Sequence, residues 1–252
     1  MITTWLYAIV SVIAVSAVSL FGIALLSLNQ NILQRVLAIL LSIAAGTFFG
    51  DAFIHLLPEA AKDGFGVTIS LAVLTGITIF FIIEKYIHWH HCHKPEHAKN
   101  GVHHLATMNL LGDAVHNMID GLVIGASYLV SIPVGIATTI AVFIHEIPQE
   151  VSDFGVLVHG GFSRGRALFF NFLVALGALI GVVVALLIGT QVEGVTQLMI
   201  PFAAGAFIYI GGADLIPELQ RETSLKKSLV QLLAFIIGIA IMMALTFVEV
   251  TH

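Results

Sequence analysis

The chain holds one cysteine, Cys92, among 252 residues, which excludes an internal disulfide framework. Charge is scarce: only 10% of the residues are Asp, Glu, Lys or Arg. Lys and Arg number 10 against 15 Asp and Glu, a net charge of −5, so no basic surplus points to nucleic acid. Polar connecting sequence is short everywhere except over residues 89–105, and no second domain is expected. What the chain does have is apolar surface, with 58% hydrophobic residues and a mean hydropathy of +1.03. A soluble domain cannot hide that much, so its solvent must be lipid.

A helix needs roughly 20 apolar residues to cross a bilayer. Runs of that kind lie at about 4–28, 33–57, 67–88, 106–130, 133–158, 167–189, 195–219 and 229–250. The first is too long for a signal peptide and lacks a basic flank and a cleavage site, so it reads as a retained span. With the N-terminus outside, Arg35, Lys85, Lys94, Lys99, Arg164, Arg166, Arg221, Lys226 and Lys227 all fall inside, and only Lys62 falls outside. That bias places both termini on the extracytoplasmic side of a cell membrane.

Residues 44–59 read AAGTFFGDAFIHLLPE and residues 203–218 read AAGAFIYIGGADLIPE, with seven of sixteen positions identical and no gap. The first copy lies in span 2, running outward, and the second in span 7, running inward. An inverted repeat of this kind marks transporters with alternating access. It pairs spans 1–3 with spans 6–8 around spans 4 and 5. The fold expected is therefore all-α and polytopic, with eight transmembrane helices in a 3+2+3 arrangement.

Ionisable groups inside a bilayer are costly, at about 2.5–3.5 kcal/mol each. Span 4 nevertheless carries Asn109, Asp113, His116, Asn117 and Asp120, all within a sector of roughly 100° at helical spacing. Span 5 carries His145, Glu146, Gln149 and Asp153 in a similar sector, with Pro148 among them. Pro148 cannot donate to the carbonyl of Ile144, so a kink is expected there. One reading is an interhelical hydrogen-bond network that only holds the bundle together. The other is a metal site: imidazole nitrogen with carboxylate oxygen suits zinc, iron or manganese, and the carboxylates cancel the charge of a dication. The set of two imidazoles, at least three carboxylates and two amides at matched spacing fits the metal better.

An enzyme is not the expectation. HEIPQE is superficially like the zinc-protease motif HExxH, but that motif needs a second His where Gln149 stands, and Pro148 interrupts its helix. No Ser–His pair or Gly-rich phosphate loop takes its place.

At these residues the sequence resembles the ZIP family of zinc and iron transporters. HNMIDG in span 4 is similar to the family's HNxxDG, and HEIPQE in span 5 to the HEIPHE of one large branch. GDAFIHLLPEA, DFGVLVHGGFSRGRALFFNF and ADLIPEL also resemble that branch. The resemblance implies a two-metal site between spans 4 and 5. The first metal would be held by His116, Asp120, His145 and Gln149, and the second by Asn117, Asp120, Glu146 and Gln149. Gln149 stands where the branch usually has His, and span 6 offers only Asn171 where some members supply a Glu.

A transport route is expected around that site. Asp51, His55 and Glu59 fall at i, i+4 and i+8 on span 2 and would receive metal on the outer half, or else form a satisfied helix-end cluster. Asn109, Asp113, Glu150 and Asp153 lie inward and would form the exit, with Asp214 and Glu218 as weaker candidates. The loop bearing His88, His90, His91, Cys92, His93, His97, His103 and His104 faces the cytoplasm, either as a metal-binding tract or as a plain polar loop. Gly177 and Gly181 fit packing within one subunit or a homodimer. The function expected is carriage of Zn2+ toward the cytoplasm. A broader Fe2+, Mn2+ or Cd2+ carrier and a metal-gated channel or sensor are the alternatives.

Overall fold

In lipid every backbone polar group must be satisfied within its own segment, so long apolar runs become helices. The computed structural model describes residues 2–21, 30–92, 101–191 and 194–249. Over 86–92 and 101–108, and at single positions such as Asp214, it describes the backbone alone. The helices are α1 (Ile2–Ser16), α2 (Gln30–Gly50), α3 (Val67–Cys92), α4 (Gly101–Val130), α5 (Ile132–His159), α6 (Arg164–Ala175), α7 (Gly177–Gln191), α8 (Val195–Tyr209) and α9 (Leu225–Glu249). No strand occurs among the described residues. The side chains of the His-rich tract lie outside what is described.

Among the described residues, seven runs are long and apolar enough to cross a membrane, with α6 and α7 together forming one of them. The expected fourth span corresponds to α4, whose 30 residues also suffice in length but carry the polar stripe. The outer faces of α3 and α9 present Leu71, Leu74, Phe81, Leu232, Leu233 and Ile237. The interior instead holds Asp51, Asp113, Asp120, His145, Glu146 and Glu150, each at most 5% exposed. Apolar outside and ionisable inside is the order expected of a protein dissolved in lipid. The chain is an all-α polytopic membrane protein.

The repeat extends to backbone detail. After α2 the helix widens into a π-turn over Asp51–Leu56 and closes with an α-turn, Leu57–Ala60. After α8 the same happens over Ile210–Leu215 and Ile216–Leu219. Every boundary is offset by the 159 residues that separate the two sequence copies. The spans expected to be uniform α-helices therefore each contain a π-turn. Pro58 and Pro217, two residues beyond them, each remove one backbone donor and crowd the preceding turn. The π-turn of each copy packs against the helix of the other, so the copies run antiparallel.

The pairings around the copies match too. α2 packs on α9, and α8 on α3. A Cβ on Gly46 of α2 would sit 2.1 Å from the Phe235 carbonyl oxygen, and one on Gly205 of α8 would sit 2.1 Å from that of Val73. Helices α2, α3, α8 and α9 form one bundle. Helices α1 and α4 to α7 form the other, with α4 against α7 as its tightest pair. There Gly181 lies so close that a Cβ would fall 1.9 Å from the Met118 carbonyl oxygen. The small residues of α7 thus pack inside the subunit.

Candidate metal centre

α4 and α5 are joined through Ser131, whose hydroxyl caps α5 by accepting from the amide of Val134 at 3.3 Å. With so short a link they run antiparallel, and their polar stripes face each other. Asn109 meets Asp153, Asp113 meets Gln149, and His116 meets His145. α5 stays a single helix through Pro148.

His116, Asp120, His145 and Glu146 converge, with one ligand atom from each within 4.8 Å of the others. His145 Nε2 lies 3.2 Å from His116 Nε2, 3.2 Å from Asp120 Oδ2 and 3.2 Å from Glu146 Oε1. His116 Nε2 lies 3.5 Å from Asp120 Oδ2 and 3.6 Å from Glu146 Oε1. Metal–ligand bonds of 2.0–2.1 Å in a tetrahedron imply edges of about 3.3 Å, so these five separations suit one zinc-sized ion. Asp120 Oδ2 and Glu146 Oε1 are buried and have no hydrogen-bond partner. Leaving them so is expensive unless a cation answers them. His145 donates from Nδ1 to the Ala141 carbonyl at 3.3 Å, which fixes the tautomer whose Nε2 lone pair faces the cage.

The structure distributes the expected ligands differently from the assignment by resemblance. Glu146, given there to a second metal, takes the fourth corner of the cage. Gln149 turns aside and donates to Asp113 Oδ1 at 3.4 Å. Asn117 donates to the same oxygen at 2.8 Å. Both amide nitrogens thus go to Asp113.

A cavity of about 820 Å3 leads away from the cage. His116 and His145 line its inner end, then Asp113 and Gln149, then Asn109 and Asp153. Gln34, Glu84, Glu218 and Gln231 also line it, and these lie near Arg35, Lys85, Arg221 and Lys227 in sequence. The cavity therefore reaches the Lys- and Arg-rich end of the bundle. Tyr209, on its wall, donates from its hydroxyl to Glu84.

Beyond the cage on the opposite side, Phe48 lies against the His145 ring with centroids 4.3 Å apart. Asp51 and His55 lie past it and are buried. Asp51 accepts from Thr138 of α5 at 2.9 Å, while His55 donates from Nε2 to the Met242 carbonyl of α9 at 2.9 Å. Glu59 is ion-paired with Lys62 at the helix end. Among the described residues, these three are not a converging group of the cage's kind. Glu150 turns away from the cavity and accepts from Asn171 of α6 at 2.5 Å. The sequence singled out both residues but not their contact, which depends on how α6 crosses α5.

The model of the ZIP zinc transporter family matches residues 2–107 and 101–246, most of the chain. The chain belongs to the ZIP zinc transporter family. Among similar curated proteins, the zinc transporter SLC39A7 of Rattus norvegicus is 30% identical over 343 residues, covering 98% of this chain and 73% of that protein. The zinc transporter zipt-7.1 of Caenorhabditis briggsae is 31% identical over 316 residues, covering 97% and 80%. The zinc transporter ZIP13 of Pongo abelii is 32% identical over 261 residues, covering 95% and 77%. Membership in the ZIP family agrees with the converging His, Asp and Glu groups between α4 and α5.

Proposed function

We propose that the protein is a zinc carrier of the cell membrane that moves Zn2+ toward the cytoplasm. The observation that carries this is the cage of His116, Asp120, His145 and Glu146, whose two histidines line a cavity that reaches the Lys- and Arg-rich end of the bundle. By the charge bias that end is cytoplasmic. α4 then counts as a span, giving eight, with both termini outside. Two neutral imidazoles and two carboxylates offset the charge of a dication, so the ion crosses the apolar layer without a bare charge. Asp113, Asn109 and Asp153 line the way out. Asp51, His55 and Glu59 mark the outer half, where an ion would first be met. Iron, manganese and cadmium are competing cargo for the same donors.

The test is radioactive zinc uptake into cells or proteoliposomes, with cadmium, iron and manganese as competitors, for wild type and His145→Ala. Saturable uptake that His145→Ala reduces to background is expected. Non-saturable flux would mean a channel, and unchanged uptake in His145→Ala would remove the cage from the path.

A further inference from the structure

Thr138 of α5 and Asp51 of the first π-turn are both fully buried, and the Thr138 hydroxyl donates to Asp51 Oδ2 at 2.9 Å. The contact joins the two bundles, since the π-turn continues α2 and α5 belongs to the other bundle. Thr138 precedes His145 by seven residues, about 10 Å along α5 and on the same face. Phe48, Asp51, His55 and Thr138 are at most 3% exposed, and none of them lines the cavity. Around Thr138 the bundles are closed on each other, whereas at the Lys- and Arg-rich end the cavity parts them. The repeat places the matching positions on that open side. Ile210, 159 residues beyond Asp51, is its counterpart in the second copy. Asn109 stands seven residues before His116, as Thr138 does before His145. Both Ile210 and Asn109 line the cavity, and Asn109 gives its amide to Asp153 of α5 at 2.9 Å. The side chain of Ile210 has no acceptor, so this second pair of positions cannot form the matching bond.

We infer that Thr138 is a positioning residue of the transport cycle: its hydrogen bond to Asp51 latches the two bundles together on the outer side and holds the carrier in the inward-open form. The inference deepens the carrier reading and rests on it. A hydroxyl bonded to a carboxylate in a dry, apolar layer is a strong contact, and breaking it leaves buried oxygen that something else must answer. When the outer side opens, water or an arriving ion takes the place of Thr138 at Asp51, a carboxylate that suits a dication. Latch and cargo thus compete for one side chain, so an ion outside loosens the contact that keeps it out. Because Ile210 gives the inner side no such bond, the resting balance lies toward the inward-open form. External ion then binds only in proportion to the outward-open population.

The experiment reads two quantities on the full chain: the rate at which a thiol reagent labels Val142→Cys in detergent without zinc, and the concentration dependence of zinc uptake. Val142 is fully buried and lies between Thr138 and His145 on their side of α5. In a Cys92→Ser background, which removes the native thiol, its labelling reports opening of the outer side. Thr138→Val deletes the hydroxyl at nearly the same shape. Labelling of Val142→Cys should then rise about tenfold or more, the scale of one hydrogen bond to a charged group. The KM for external zinc should fall by up to the same factor, a change that mere loosening of the fold would not produce. Thr138→Ser keeps the hydroxyl and should match wild type in both readouts. Val182→Cys, fully buried on α7 within one bundle, is the control and should label no faster. Equal acceleration at 142 and 182, or unmoved labelling and KM with saturable uptake, overturns the latch and leaves the carrier reading standing. Non-saturable uptake by wild type overturns the carrier reading, and the labelling alone then decides whether the contact holds the outer side shut. Should Thr138→Val fail to fold, Asp51→Ala removes the acceptor instead and the labelling decides by the same outcomes.

Discussion

Phe48 and Phe207 occupy the same position in the two copies of the repeat, and their rings meet with centroids 4.7 Å apart. Both are fully buried. The pseudo-symmetry thus brings two equivalent aromatics together where the copies cross. Only one of them, Phe48, also covers His145. Neither ring is among the residues that line the cavity, so Phe48 covers His145 from outside it.

That asymmetry separates packing from gating. Truncating either ring should cost about 3–5 kcal/mol, as for other buried Phe→Ala changes, and thermal unfolding in detergent will show similar losses for both. Phe48→Ala should also loosen His145 and raise the Kd for zinc, whereas Phe207→Ala should alter it little. Equal zinc affinities in the two variants would reduce Phe48 to a packing residue.

The glycines at the two symmetric crossings make a second comparison. Gly46→Ala puts a methyl group 2.1 Å from one carbonyl oxygen of α9, and Gly205→Ala does the same against α3. Neither neighbour is a flexible side-chain end, so whole helices must part. Each change should destabilise by about 1–3 kcal/mol, the range for overpacking, and the two losses should be alike. Gly155→Ala in α5 meets nothing within 4 Å and should be neutral or stabilising by up to about 1 kcal/mol. Melting temperatures of the three variants check this directly, and a harmless Gly46→Ala would sink the claim of backbone contact there.

How far the sequence alone could see follows from what each signal encodes. The membrane class came from composition, and the repeat came from identities such as Phe48 with Phe207 and Pro58 with Pro217, which also mark the two π-turns. The π-turns themselves were not legible, because widening a helix by one residue leaves its hydrophobicity unchanged. His116, Asp120 and His145 were legible by helical spacing as parts of two facing polar stripes, and as a ligand set through the family resemblance. That Glu146 converges with those three was not, since it depends on how the two helices are rotated against each other. Asp113 accepts from both Asn117 and Gln149, a contact between α4 and α5 that spacing within either helix does not reveal. Likewise Asp51, His55 and Glu59 share one helix face, but the contacts of Asp51 with Thr138 of α5 and of His55 with the Met242 carbonyl of α9 depend on how those helices pack.

Gln149 gives the sharpest test of selectivity. It stands four residues beyond His145 on the same face of α5, yet its amide nitrogen is held only at 3.4 Å from Asp113. An imidazole at 149 would add a third nitrogen next to those of His116 and His145. Nitrogen donors favour zinc over manganese, which prefers oxygen. Gln149→His should therefore tighten zinc binding by about tenfold, or 1.4 kcal/mol, with a smaller gain for manganese. Manganese should then compete less well for radioactive zinc uptake than it does in wild type. Turnover at saturating zinc should fall, because the ion leaves a nitrogen-rich cage more slowly and Asp113 has lost one amide donor. Unchanged manganese competition in Gln149→His would show that residue 149 stays out of reach of the cage even when it carries an imidazole.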